Sequence, residues 1–302
     1  MISERLRPLL FVLLHGFLVA ANVVIARALL VEFPPLLFRL LQFAIASLVY
    51  LALPLLRRDL HLSGRPGLWL RAGIYGLMGT VLPLSAMILG LQYLSSGVMS
   101  LFLTINPIVI FLLASRFLPD EPMTIRKLLG ALLAFSGIGL VLLRGENGLS
   151  EVVRSDPRGY IWAVLLVLTI SGSVVFARRF LQHEPSFDVA SVRIFSATIL
   201  MAPIVLMDGN FDLSRVTFLG VGGLIFTTLL GLVGALWLEL IIIQRFGAST
   251  ASQVSYVIPV FALLLGAAFL GEQITLTILA GFALVVIGLR LLNSGSAGVA
   301  PT

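Results

Sequence analysis

Residues 72–115, AGIYGLMGTVLPLSAMILGLQYLSSGVMSLFLTINPIVIFLLAS, contain no charged side chain. A helix needs about 20 apolar residues to cross a bilayer, so this stretch is long enough for two spans. A second run without charge separates Arg7 from Arg27 and is long enough for one span. These runs do not alternate between polar and apolar residues as barrel strands do. They therefore predict an all-α polytopic membrane protein, because a helix satisfies all of its backbone hydrogen bonds within itself and can cross lipid.

The composition of the whole chain supports this class. The 302 residues are 59% hydrophobic and only 11% charged, whereas a soluble domain carries about 25% charged residues. A soluble enzyme and a disordered chain are therefore excluded. With no Cys and three widely spaced His, neither a disulfide framework nor a metal site is expected, and no cofactor motif is present. The net charge of +6 is spread over short loops, so nucleic acid is not an expected partner.

Ten apolar segments follow one another along the chain. They are 8–29, 36–56, 67–90, 94–116, 125–143, 159–180, 187–207, 216–244, 249–270 and 273–291. With the amino terminus inside, thirteen of the 20 Lys and Arg residues fall at inner ends and loops and five at outer ones. This bias predicts that both termini are cytoplasmic. The expected location is a bacterial inner membrane. The first segment is too long to be the apolar core of a cleaved signal peptide.

An internal repeat divides the chain into two halves. Allowing one deletion, the aligned pairs are Gln92–Gln244, Ser100–Ser252, Pro107–Pro259, Glu121–Glu272, Gly130–Gly281 and Gly137–Gly288. Five spans are an odd number, so the second copy must enter the membrane with the opposite orientation. We expect two inverted five-helix repeats, 1–144 and 159–292, joined by a loop at 145–158 and followed by a disordered tail at 293–302. Inverted repeats are typical of secondary transporters that work by alternating access.

On these motifs the sequence resembles the EamA-type transporters of the drug/metabolite transporter superfamily. The resemblance covers about residues 8–291. In each half a Pro precedes a Glu-x-x-Thr motif and a Gly-rich span, and the two motifs are Glu121-Pro122-Met123-Thr124 and Glu272-Gln273-Ile274-Thr275. The resemblance implies ten spans and the export of amino acids, their relatives or other small metabolites. The amino-acid exporter branch is one neighbour that it suggests.

Glu239 is the only acidic residue predicted to lie deep within a span. A bare carboxylate there is unfavourable, so it must be protonated or paired. Either it couples protons or binds a substrate amine, or it forms a structural ion pair near the inner end, close to Arg245. His15, in the first span, is a candidate proton relay to Glu239; the alternative is a buried neutral His with a hydrogen-bonded neighbour.

Two arginines, Arg39 and Arg193, lie a few residues inside equivalent spans of the two halves. Each can bind a substrate carboxylate or close a gate. The alternative is that they reach the headgroups or cap a neighbouring helix. The remaining candidates for the substrate cavity are Asn22, Ser173, Trp237 and Tyr256.

Two prolines and two glutamates repeat between the halves. Pro107 and Pro259 free backbone carbonyls within spans 4 and 9, so they are either hinges beside the substrate or static kinks. Glu121 and Glu272 precede spans 5 and 10. We expect them to be acids at the amino termini of those helices, stabilised by the helix dipole.

The predicted function is a secondary transporter that exports amino acids or related small metabolites by alternating access. Its partners are a small-molecule substrate, the lipid bilayer and, as a further candidate, protons; the chain acts as a monomer or a homodimer. The alternatives are an exporter of lipophilic compounds and a scramblase-like lipid transporter. An enzyme is not expected, because the spans contain no acidic pair, Gly-x-Gly-Asp or His-Glu-x-x-His motif.

Overall fold

The structure, a computed structural model, describes residues 7–57, 64–117, 125–149, 156–246 and 253–293. These residues form ten helical spans, and the predicted all-α architecture is confirmed. The spans are α1 Arg7–Ala28; α2 Pro35–Leu56; α3 Pro66–Gly76, Leu77–Val81 and Leu82–Gly90; α4 Ser96–Thr104 and Asn106–Phe117; α5 Ile125–Leu143; α6 Pro157–Phe180; α7 Ser186–Asp208; α8 Phe218–Thr228, Leu229–Gly234 and Ala235–Phe246; α9 Val254–Leu270; and α10 Leu276–Asn293. Glu121 and the tail beyond Asn293 lie outside the described residues.

Local sequence explains where several helices begin and end. Seven of the described spans, α1 to α4 and α6 to α8, are long and apolar enough to cross a membrane, and α5, α9 and α10 are shorter apolar helices. Pro34 and Pro185 precede the equivalent helices α2 and α7 with the same extended backbone. Gly209 and Gly271 end α7 and α9 with φ of 68° and 63°, a left-handed conformation that glycine adopts without strain.

The helices of each repeat pack mainly against helices of the other repeat. Helix α1 lies against α8 and α9, and its repeat equivalent α6 lies against α3 and α4. Three further contacts join equivalent helices, namely α2 with α7, α4 with α9 and α5 with α10. A Cβ on Gly137 would lie 2.6 Å from the Gly281 carbonyl oxygen, so α5 and α10 need small residues at their crossing. Each repeat therefore depends on the other for its packing.

Two short π-helical segments interrupt α3 and α8 at equivalent places. They span Leu77–Val81 and Leu229–Gly234. Leu229 follows Leu77 by the same number of positions as Gln244 follows Gln92, the first aligned pair of the repeat. The two segments are therefore equivalent in the two halves. Such segments within α-helices are frequent at functional sites, because they interrupt the regular backbone hydrogen bonding. The paired π segments therefore locate the centre of the candidate site.

Candidate functional site

Each π segment packs against a polar side chain from the other repeat. A Cβ on Gly79 would lie 2.7 Å from the Ser173 hydroxyl oxygen, and a Cβ on Gly231 would lie 2.7 Å from the Asn22 Cβ. Asn22 and Ser173 occupy equivalent positions on α1 and α6. Glycine in each π segment thus allows a close approach that repeats across the molecule. We call the polar residues around these contacts the central layer: Asn22, Arg39, Gln42, Tyr75, Thr80, Ser173, Arg193 and Thr227.

Arg193 joins α7 to the π segment of α3. Its guanidinium donates hydrogen bonds to the Thr80 hydroxyl, the Gly79 carbonyl and, at 3.1 Å, the Tyr75 hydroxyl. Its central carbon also lies 4.6 Å from the centroid of the Tyr75 ring, a cation–π geometry. Three of its five N–H groups are used in this way, and the side chain is only partly buried. The cation is therefore held in place between α7 and α3.

Arg39, the repeat equivalent of Arg193, has a different environment. It is 1% exposed and donates to the Leu84 carbonyl at 2.9 Å and to the Gln42 side chain. Gln42 in turn donates to the Thr227 hydroxyl at 2.9 Å, and Asn22 donates to the Thr227 carbonyl at 3.4 Å. This chain of hydrogen bonds joins α3, α2, α8 and α1. Arg39 is therefore a buried anchor between helices, with no route to a headgroup.

Glu239 lies in the last segment of α8, and its side chain is exposed. Among the described residues it makes no ion pair within 4.0 Å and no hydrogen bond. Arg193 is the charged group that acts on its carboxylate electrostatically. Its repeat equivalent, Met87, is buried in the main apolar core. At this position the two halves therefore differ, because one carries an acid and the other a buried apolar side chain.

His15 lies at the same depth as Glu239. It precedes Asn22 by seven residues, so both project from the same face of α1. Asn22 abuts Gly231, and α8 runs antiparallel to α1, which brings His15 level with residue 238. The ring is 6% exposed, and its Nδ1 atom has no hydrogen-bond partner among the described residues. A relay between His15 and Glu239 stays a prediction.

The other candidates from the sequence are distributed more widely. Trp237 is 49% exposed and lies two positions before Glu239, about 200° around the helix, so the two side chains face nearly opposite ways. Tyr256 is in the first turn of α9 and packs against the main core. The α4 helix is interrupted at Ile105, just before Pro107, whereas Pro259 lies inside an uninterrupted helix. The hinge roles of both prolines stay predictions.

Sequence reasoning did not find four members of the central layer: Gln42, Tyr75, Thr80 and Thr227. Their side chains are ordinary polar groups within apolar spans, and their partners lie on distant helices. The repeat carried one usable signal, because Gly79 and Gly231 align when the halves are superimposed on Gln92 and Gln244. Two aligned glycines in the middle of equivalent spans indicate a shared close approach.

Comparisons with known proteins agree with this architecture. The sequence profile of the EamA-like transporter family matches residues 6–143 and 157–294. The chain is 28% identical over 268 residues to an uncharacterized transporter of Archaeoglobus fulgidus. The alignment covers 85% of this chain and 88% of that protein. It is 27% identical over 217 residues to a probable terminal-alkyne amino-acid exporter of Streptantibioticus cattleyicolor. That alignment covers 69% of this chain and 68% of the exporter.

A solved crystal structure has the same fold. It superimposes with a TM-score of 0.65 at 22% identity and covers 95% of this chain and 97% of that chain. The family profile matches twice, once on each five-helix half, as the internal repeat predicted. The chain therefore belongs to the EamA-like transporter family and is a membrane transporter, not an enzyme.

Proposed function

We propose that this transporter exports amino acids or closely related amphoteric metabolites by alternating access. The observation that carries the proposal is the pair of opposite charges between the repeats. Arg193 is held by α3, and Glu239 has no hydrogen-bond or ion-pair partner among the described residues. Two separated charges of opposite sign match a small molecule that carries both a carboxylate and an amine.

The charges suggest how such a molecule binds. Arg193 keeps two N–H groups beyond those given to Thr80, Tyr75 and Gly79, so it can still donate to a carboxylate. Glu239 can accept from an ammonium group. Hydrogen bonds between charged groups are stronger than neutral ones, particularly away from bulk water. Between substrates, Glu239 takes a proton, which gives a route for coupling to the proton gradient, with His15 as the relay.

The inverted repeats provide the movement. Two halves of opposite orientation can exchange conformations about a central site, so that the site faces each side of the membrane in turn. The repeats pack through each other along α1, α6, α2 and α7, so a change in one must be followed by the other. One chain holds both halves and serves as the transport unit, whether alone or in a homodimer. The bias of Arg and Lys supports an orientation with both termini in the cytoplasm, and we propose a bacterial inner membrane as its location.

A lipophilic substrate is the second candidate, and one feature favours it. An apolar groove of about 350 Å³ is lined by Ser47, Leu51, Trp69, Phe195, Thr198 and Ile199. Trp69 and Phe195 stack there with centroids 6.4 Å apart. The groove lies on a different face of α7 from Arg193, because Phe195 is two positions, about 200°, further on. A substrate bound there would not need Glu239.

Counterflow in proteoliposomes tests the proposal. The purified transporter is preloaded with unlabelled compound and offered labelled amino acids, amines without a carboxylate, carboxylates without an amine, and lipophilic drugs. Saturable exchange of the amphoteric compounds, competed weakly by the single-charge analogues, is the expected result. Exchange of lipophilic compounds alone would favour the groove. Absence of exchange for every class, by protein that is monodisperse and folded, would contradict the proposed function.

A further inference from the structure

A buried ion pair joins the two repeats at the end of the bundle where α1 stops. The Arg27 Nε atom lies 2.9 Å from the Glu272 Oε1 atom, and the two side chains are 20% and 4% exposed. Arg27 ends α1 of the first repeat, whereas Glu272 lies in the turn between α9 and α10 of the second. The charge pair therefore crosses the boundary between the halves.

Glu272 also caps the first turn of α4. Its Oε1 atom accepts the Ser96 backbone N–H at 2.8 Å, and its Oε2 atom accepts the Ser96 hydroxyl at 2.7 Å and the Gly97 N–H at 3.3 Å. The first N–H groups of a helix have no partner within it and carry the positive end of its dipole. The carboxylate thus satisfies a helix of the other repeat. The expectation that Glu272 stabilises the start of its own span, α10, is wrong in this respect.

Arg27 extends the same cluster to α3. Its guanidinium donates to the carbonyl oxygens of Leu91 and, at 2.7 Å, Leu94, in the turn that directly follows α3. The segment after α5 lies over the cluster, because the Gln273 N–H donates to the Gly148 carbonyl at 2.9 Å and the Ser95 N–H to the Asn147 carbonyl at 2.8 Å. Hydrogen bonds and one ion pair therefore hold the ends of α1, α3 and α9 and the start of α4 next to one another.

The ion pairs at the opposite end are far more exposed. Arg65 lies 2.7 Å from Glu184, but its side chain is 58% exposed, and Arg71, 3.0 Å from Glu184, is 44% exposed. Exposed pairs of this kind contribute little to stability. A buried pair also often adds little net stability over apolar packing, because both ions lose their water. The burial at the α1 end therefore indicates a role in specifying one closed arrangement.

We propose that Arg27 and Glu272 form a latch that closes this end of the bundle and must open for the transported molecule to pass. The proposal rests on alternating access, since only a site that faces both sides needs a closure that breaks. Neither residue contacts the central layer, so both act by positioning the helix ends. The five groups that Glu272 and Arg27 bind all lie in residues 91–97, where α3 ends and α4 begins, so these contacts tie the second repeat and α1 to that turn.

The cysteine-free sequence makes the test direct. Ser100 is fully buried and lies one turn below Ser96 on α4. In the otherwise Cys-free protein, Ser100→Cys is labelled with a membrane-impermeant thiol reagent applied to each side of the membrane in turn. We expect slow labelling from the latch side with Arg27 and Glu272 intact. Glu272→Gln should speed it on the order of tenfold, the effect expected from losing a charge-assisted hydrogen bond.

Four further variants separate a latch from a merely structural pair. Arg27→Gln should have a similar effect, and the double variant Arg27→Gln/Glu272→Gln should add little to either single one, because both break the same contact. Arg27→Lys keeps the charge and should give an intermediate rate, which provides a reading if the Gln variants fail to fold. Glu121→Gln, at the repeat-equivalent position, should not speed labelling from the latch side.

The labelling experiment can fail or succeed independently of the counterflow experiment that tests the proposed function. Faster labelling of folded Glu272→Gln or Arg27→Lys from the latch side supports the latch even if counterflow fails for every substrate tested. Unchanged labelling in both, with normal counterflow, overturns the latch and leaves the transport proposal standing. Labelling that increases only from the opposite side also overturns it.

Discussion

The π segments of α3 and α8 have the same backbone but different surroundings. Each meets a polar side chain of the other repeat, Ser173 at Gly79 and Asn22 at Gly231. Beyond that contact the likeness ends, since Arg193 binds the first segment, whereas Glu239 follows the second without a partner among the described residues. The comparison teaches that the two repeats share a π-helical backbone at this level, whereas their side chains make the site electrically asymmetric.

The strongest way to break this asymmetry is to remove the acid. Glu239→Gln should lower amino-acid counterflow roughly 10- to 100-fold, the effect of losing a hydrogen bond between charged groups. Asp208→Asn, an exposed acid at the end of α7, is the matched control and should exchange normally. Unchanged exchange in Glu239→Gln with loss of pH dependence in net transport would mean that the carboxylate carries protons but does not bind the amine.

A bulkier residue in either π segment should show that the backbone likeness is real. Gly79→Val and Gly231→Val place methyl groups where Ser173 and Asn22 lie, so each should destabilise the fold by about 1–3 kcal/mol. Thermal unfolding in detergent measures this. Asn22→Ala should partly rescue Gly231→Val but not Gly79→Val. Rescue of both, or of neither, would contradict the paired contacts.

The two arginines should respond differently to the same conservative change. Arg193→Lys loses the fork that reaches Tyr75 and the Gly79 carbonyl while the site stays accessible, so it should raise the KM for transport several-fold with little change in stability. Arg39→Lys should instead lower the unfolding temperature, because Arg39 is 1% exposed and water cannot replace the contacts that a Lys would lose, whereas Arg193 is only partly buried. Equal effects on KM and unfolding in both variants would contradict the distinction.

The hydrogen-bond chain through Thr227 should contribute a smaller amount. Thr227→Val keeps the shape but leaves the Gln42 amide without an acceptor, so it should cost about 1 kcal/mol of stability. Chemical or thermal unfolding in detergent measures the change. Thr228→Val is the matched neighbour, because among the described residues its hydroxyl bonds only the Leu224 carbonyl of its own helix. An equal loss in the two variants would show that Gln42 is not part of the effect.

The smallest effect is expected at the start of α6, outside the membrane. The pKa of Asp156 lies below its ordinary value, because the Arg158 side chain and backbone N–H both hydrogen-bond its carboxylate. The stability from this charge is present above the ordinary Asp pKa of about 3.9 and is lost as the pH falls through the lower folded value. Asp156→Asn should unfold slightly earlier than the native chain at pH 7, and the difference should vanish in acid. A growing difference in acid would contradict this sign.

Much of the fold could be predicted from the sequence, because hydropathy acts locally along the chain. The ten spans follow from apolar runs such as residues 72–115, and the repeat follows from aligned residues such as Pro107 and Pro259. Partner choice depends on helix rotation and crossing, which one sequence does not reveal. Glu272 illustrates this, since its contacts lie on α1 and α4, far away in the chain.

The site was predicted less completely than the fold for the same reason. Glu239 and Arg193 stood out because charge is rare in a span. The structure places them within α8 and α7. Tyr75 and Thr80 carried no such signal, because a single hydroxyl among apolar neighbours can face lipid, a helix or a cavity. The π segments were also missed, since no residue pattern other than the aligned glycines marks them.

The most direct test of alternating access is labelling of one central residue from both sides. Ser173→Cys, in the otherwise Cys-free chain, is exposed to a small impermeant thiol reagent added to one face of the membrane at a time. Alternating access about the paired π segments predicts labelling from either face, with Glu272→Gln shifting the balance toward the latch face. Labelling from one face only, unchanged by Glu272→Gln in folded protein, would contradict it.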